Sequence, residues 1–145
     1  MIPLDTARRL KEVGLTWVPA LHDFFAIPDR NMDEKVFVIS DMLVTVELLQ
    51  GLQVVSFQGA SEWALDSLVT TEAVWIPGEA QLRQALEAAL LAEGQPEVRL
   101  TCGLVGYRCE ISFQGQSLSF EAAGASEVYA AALLHVLLAH PAQNA

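Results

Sequence analysis

The densest set of residues able to do chemistry is the stretch HDFFAIPDRNMDE at positions 22–34. His22 and Asp23 have the types of a general base and its orienting carboxylate. Asp29 and Asp33 offer hard oxygen ligands to a cation, although a calcium loop needs a denser oxygen spacing than theirs. Arg30 can grip a carboxylate or phosphate by two-point contact. With Trp17 and Phe25 supplying aromatic walls, Trp17, His22, Asp23, Phe25, Asp29 and Arg30 form the candidate ligand-binding set. The competing reading makes the acids turn and solvated edge residues, with Arg30 paired to one of them. No catalytic set and no metal set is assigned.

Elsewhere the chemistry thins. The glycines match neither a Walker loop nor a dinucleotide-binding fingerprint. No nucleophile elbow occurs, and Ser61 and Ser126 read better as helix caps. Trp17, Trp63 and Trp75 can line a pocket or close the edge of a core or interface. His135, between Leu134 and Val136, reads as a hydrogen-bonded core or interface residue, and His140 lies near a frayed end. Two cysteines flank an expected turn at Val105-Gly106, whose register would set Cys102 opposite Cys109. A disulfide is conceivable there; reduced core thiols are the alternative. Without a His or carboxylate cluster they make a poor zinc site, and nothing calls for a cofactor.

The 145 residues suit one domain, 1–145. Hydrophobic residues make up 52% and charged residues only 18%, so a packed core is expected and apolar surface should be left over for a subunit interface. The net charge of −10 opposes nucleic acid and anionic membranes. The N-terminus lacks the uninterrupted apolar run of a signal peptide, and Val128 to Ala139 is too short to span a bilayer. Cytoplasm is therefore the expected location, without membrane insertion.

The elements that would position these residues are helices and antiparallel strands. Helices are expected at Asp5 to Val13 (capped by Asp5 or Thr6, stopped by Gly14), from Ser61 to about Val69, at Glu79 to Ala92 and at Ser126 to His140. The last is apolar nearly all round and should be the most buried. Strands are expected at His22 to Ile27, Val36 to Ile39 (apolar throughout, hence interior), Leu43 to Leu49 (with helix as the alternative for so uniformly apolar a run), Gln53 to Phe57 and Ala73 to Ile76. Val98 to Gly103, Tyr107 to Phe113 and Ser117 to Ala122 read as a meander, with Gln50-Gly51 and Gln114-Gly115-Gln116 as turns.

Two halves, 1–70 and 78–140, align. ELLQGLQVVSF from Glu47 falls without a gap on EISFQGQSLSF from Glu110, and Gly59-Ala60-Ser61-Glu62 recurs as Gly124-Ala125-Ser126-Glu127. The alternatives are a duplicated α-β-β-β-α unit and coincidence. Under either, the expected class is α+β, antiparallel sheets with covering helices sharing a core. The segment from Leu15 to Lys35 has no counterpart in the second half, which marks it as the place for something specific.

The phrases DFFAIPDRNMDEKVFVISDM, GASEWALDSL and AVWIPGEAQLRQALE resemble a group of small bacterial proteins often named "pilus assembly protein CpaE". The genuine protein of that name resembles a far larger P-loop ATPase. Because this chain has no Walker motif, no ATPase residue carries over, and the resemblance implies at most a role near pilus machinery. YRCEISFQGQSLSFEAAGASEVYAAALL is weakly similar to phage-type sandwich domains in which a helix covers an antiparallel sheet; that implies fold and no activity.

Three functions follow as expectations. The first is a non-enzymatic interaction or structural module, self-associating as a homodimer, with an unidentified protein partner also allowed. The second is a small-molecule-binding or regulatory domain using the 15–35 segment. The third is a metal-assisted hydrolase acting through His22, Asp23, Asp29 and Asp33.

Overall fold

Local stop signals and hairpin turns fix most of the element boundaries. The computed structural model describes residues 1–28, 35–39, 44–57, 67–69, 72–94 and 96–140. Element α1 runs Leu4–Glu12, with Pro3 rather than Asp5 or Thr6 at its N-cap and Asp5 in its first turn. Its end is a Schellman-type closure. The Gly14 N–H donates to the Lys11 carbonyl at 3.1 Å and the Leu15 N–H to the Leu10 carbonyl at 2.9 Å, with Gly14 at φ +105°.

The chain then divides into two compact units, Met1–Leu15 with Pro77–Ala145, and Thr16–Ile76. These boundaries are not those of the halves 1–70 and 78–140, because α1 packs with the C-terminal segment. The Thr16–Ile76 unit is thus inserted, in sequence, into the other.

Among the described residues the inserted unit has strands β1 (Phe24–Ala26), β2 (Val36–Val38), β3 (Val44–Leu49), β4 (Leu52–Phe57), β5 (Ser67–Val69) and β6 (Val74–Ile76). They form two antiparallel sheets, ordered β2-β1-β6 and β3-β4-β5. Phe25, Ile27, Ile39, Val55 and Ala73 make its buried cluster, with Trp17 and Phe37 packed against it. Strand β2 is not the interior strand its composition suggests. Among the described residues it pairs with β1 alone, at the sheet's edge, and Val36 and Val38 remain 46% and 44% exposed. The helix expected from Ser61 to Val69 is corrected at its end, since Ser67–Val69 is a strand paired with β4. Its start, with Trp63, lies outside the described residues.

The other unit contains α1, α2 (Glu79–Leu91), β7 (Val98–Gly103), β8 (Gly106–Phe113), β9 (Gln116–Ala122) and α3 (Ala125–Ala139). In α2, Leu82, Leu86 and Leu90 are buried at four-residue spacing, one stripe of a helix. Gln81 Oε1 accepts the Gly78 N–H at 2.9 Å, satisfying an N-terminal donor. Helix α3 buries Val128, Tyr129, Ala130, Ala132, Leu133, Leu134 and Val136, and packs against α1, α2, β8 and β9. Gly124, not Ser126, occupies its N-cap, and no side chain caps it. His135 is exposed rather than in the core, its ring 6.1 Å from Phe113 and 5.6 Å from Phe120.

The meander β7-β8-β9 alternates cleanly. Cys109, Ile111 and Phe113 are buried, while Arg108 and Ser112 are exposed. One face is therefore covered and the other meets solvent. Gln114-Gly115 closes β8–β9 with φ +52° and +75°, and Gln50-Gly51 closes β3–β4 with +53° and +80°. Both are two-residue loops with two positive φ values, as a type I′ turn requires. Aligning these turns shifts the repeat by one residue from the ungapped alignment. Phe57 then corresponds to Glu121, and the identities Ser56/Ser119 and Phe57/Phe120 fall on opposite sheet faces. In the first half, moreover, β2 belongs to a different sheet from β3 and β4. The α+β class stands as expected.

Candidate functional site

The described part of the 15–35 segment is a turn leading into β1. His22 sits at φ +71°, a left-handed conformation that polar residues tolerate best. Its N–H donates to the Ile39 carbonyl at 2.9 Å, and the Ile39 N–H returns a bond to the Asp23 carbonyl at 3.0 Å. These bonds tie the turn to the end of β2.

Asp23 is the buried charged residue of this turn, only 4% exposed. Its Oδ2 accepts the Trp17 indole N–H at 2.9 Å and the Ala20 backbone N–H at 3.0 Å. Burying a carboxylate is costly unless donors surround it. Here the donors hold the turn closed and seat the Trp17 ring 5.6 Å from Phe25, which in turn stacks 5.5 Å from Phe37. Phe25 is fully buried.

Trp17, Asp23 and Phe25 are therefore brought together, but as the brace of a core. The His22 side chain is exposed, whereas Asp23 beside it in sequence is buried. Asp29, Arg30 and Asp33 lie outside the described residues. Among those described, no group of three or more His, Cys, Asp or Glu side chains is placed to hold a metal ion.

The β7–β8 turn is Leu104-Val105, not Val105-Gly106, because Gly103 pairs with Gly106. The slip of register sets Cys102 opposite Tyr107 and Cys109 opposite Leu100. Both cysteines are free, Cys102 exposed and Cys109 buried. A hydrogen bond with Cys102 pushes the Tyr107 phenol up, and burial pushes the Cys109 thiol up. A raised thiol is a poor nucleophile at neutral pH.

Shallow depressions open on the exposed face of the meander among the described residues. One, of about 520 Å³, is bordered by Thr101, Tyr107, Arg108, Glu110 and Glu121. Another, of about 270 Å³, is bordered by Glu97, Arg99, Glu110, Ser112, Ser117 and Ser119. Their charges oppose each other across strands. Arg108 donates to Glu121 Oε1 at 2.7 and 3.0 Å, and Arg99 is the register partner of Glu110. Such a face offers polar contacts and no activated nucleophile.

Composition hinted at, but could not place, the apolar surface. Leu104 and Val105 stand fully exposed at the β7–β8 tip. The available signal was the GLVG sequence itself, two aliphatics between glycines. Leu48 and Val18 are 75% and 71% exposed in the inserted unit. No helix among the described residues is long and apolar enough to cross a membrane. Comparison with protein-family models, curated proteins and solved structures gave no match.

Proposed function

We propose that this chain is a non-enzymatic interaction module that self-associates. The observation that carries the reading is large aliphatic side chains left in solvent beside well-packed cores. Leu104, Val105, Leu48 and Val18 contribute little to the folding of their own units at those exposures, while Phe25, Leu82, Leu86 and Leu133 are fully buried. Exposed apolar area of this kind gains when another surface removes it from water. Asp23 supports the same reading, since its carboxylate is engaged in holding the turn. The net charge of −10 limits indiscriminate clumping and favours specific pairing.

Light scattering on purified protein tests the proposal. The expected molar mass is above the 15.8 kDa of one chain and rises with concentration. A mass of one chain at every concentration would refute self-association.

A further inference from the structure

Among the described residues, strand β9 ends its sheet, paired with β8 on one side only. We infer that β9 is the self-association seam, pairing antiparallel with β9 of a second copy about a two-fold axis at Ser119. The inference rests on the self-association reading and gives it a backbone seam, separate from the exposed aliphatic side chains.

The register dictates which backbone groups are free. A two-residue turn is closed by a hydrogen-bonded pair, here Phe113 and Gln116. Hydrogen-bonded pairs then recur at every second residue, so Leu118, Phe120 and Ala122 direct their N–H and C=O groups to β8. Ser117, Ser119 and Glu121 direct theirs outward, and all three residues are exposed.

Natural edges are usually guarded by proline, lysine, a bulge or shortness. The sequence QSLSFEA of β9 has no proline or lysine, is seven residues long and pairs with β8 without a bulge. Its one charge, Glu121, is drawn back onto Arg108 of β8. The edge is thus open and electrostatically quiet.

The strand is also complementary to itself. Antiparallel pairing about Ser119 sets Ser119 on Ser119, Ser117 on Glu121 and Leu118 on Phe120 of the other copy. The three outward residues then meet one another, giving about six backbone hydrogen bonds. Half-buried Leu118 and Phe120 meet on the covered face, while serines and Glu121 meet on the open face. No like charges oppose, because Glu121 faces Ser117. These features favour a second copy over an unrelated strand.

The test uses full-length protein with Cys102→Ser, so that the exposed native thiol is silent. Ser119→Cys places two thiols opposite each other at a Cα separation of about 5.5 Å, within disulfide range. Oxidation is expected to give a covalent dimer, whereas Thr101→Cys on β7 gives none. Ser119→Pro removes an outward N–H from each copy without touching the β8 ladder. It should keep the circular dichroism spectrum and weaken the dimer by at least about tenfold in sedimentation. Self-association that persists in Ser119→Pro, with no cross-link in Ser119→Cys, would overturn the seam and leave the self-association reading standing. A chain monomeric at every concentration would overturn both, and a cross-link from Thr101→Cys instead would move the seam to β7.

Discussion

The Trp17 indole donates to the Asp23 carboxylate at 2.9 Å, in a turn where the same oxygen also accepts the Ala20 N–H. A carboxylate of the type that orients a general base thus accepts from an indole and a backbone amide. Asp23→Ala would leave both donors without their acceptor in a part-buried setting. The expected cost is about 3 kcal/mol, read from urea unfolding of the variant, with Asp23→Asn retaining part of it.

Gly106 should be the least replaceable glycine of the meander. It lies at φ +133°, and an added Cβ would sit 2.6 Å from the Ala122 carbonyl oxygen. Gly51 also has positive φ, +80°, but nothing within 4 Å of its would-be Cβ. Gly51→Ala should cost about 1 kcal/mol from conformation alone. Gly106→Ala should cost more, about 2–3 kcal/mol, since a backbone clash is added. Thermal unfolding of the two variants gives the ranking.

Native thiol titration should count one fast cysteine, Cys102, and a second, Cys109, only after unfolding. Alkaline stability follows from the same burial. The Cys109 thiol, raised by burial and by neighbouring Glu110, holds its proton more tightly folded than unfolded. Tyr107 and Tyr129 are shifted the same way. The unfolded state then binds fewer protons, so stability falls as pH rises. The contribution is complete below the ordinary thiol range, near pH 8.5, and is lost above it. Melting temperatures from pH 7 to 10 should decline, and Cys109→Ala should decline less.

The β7–β8 tip should be dispensable to the fold. Replacing Leu104 and Val105 by serine removes side chains that are fully exposed. Stability should change by less than about 0.5 kcal/mol. Binding of a hydrophobic dye to the native protein should fall.

How far the sequence carried this picture depends on how local each signal was. Gln50-Gly51 and Gln114-Gly115 were legible because a left-handed Gly marks a short hairpin, and Gly14 because it ends a helix. At β7–β8 the glycine signal points one residue too far along, because Gly106 follows the turn instead of lying in it, and the true register sets Cys102 and Cys109 on different partners. Val36–Val38 reads as interior, yet its place at an edge depends on β6, distant in the chain, taking the other side of β1. No periodicity records such a partner. In the candidate site, the closeness of Trp17, Asp23 and Phe25 was anticipated in membership but not in role. Whether a carboxylate faces a ligand or an indole depends on a turn conformation, the positive φ of His22, that a histidine does not advertise.

Hydrogen exchange followed as a function of protein concentration tests the account's claim of an interaction module most directly. Association should slow exchange at Ser119 and its neighbours on β9 as concentration rises, while amides of α2 stay constant. Exchange rates that are identical at all concentrations for every amide would contradict it.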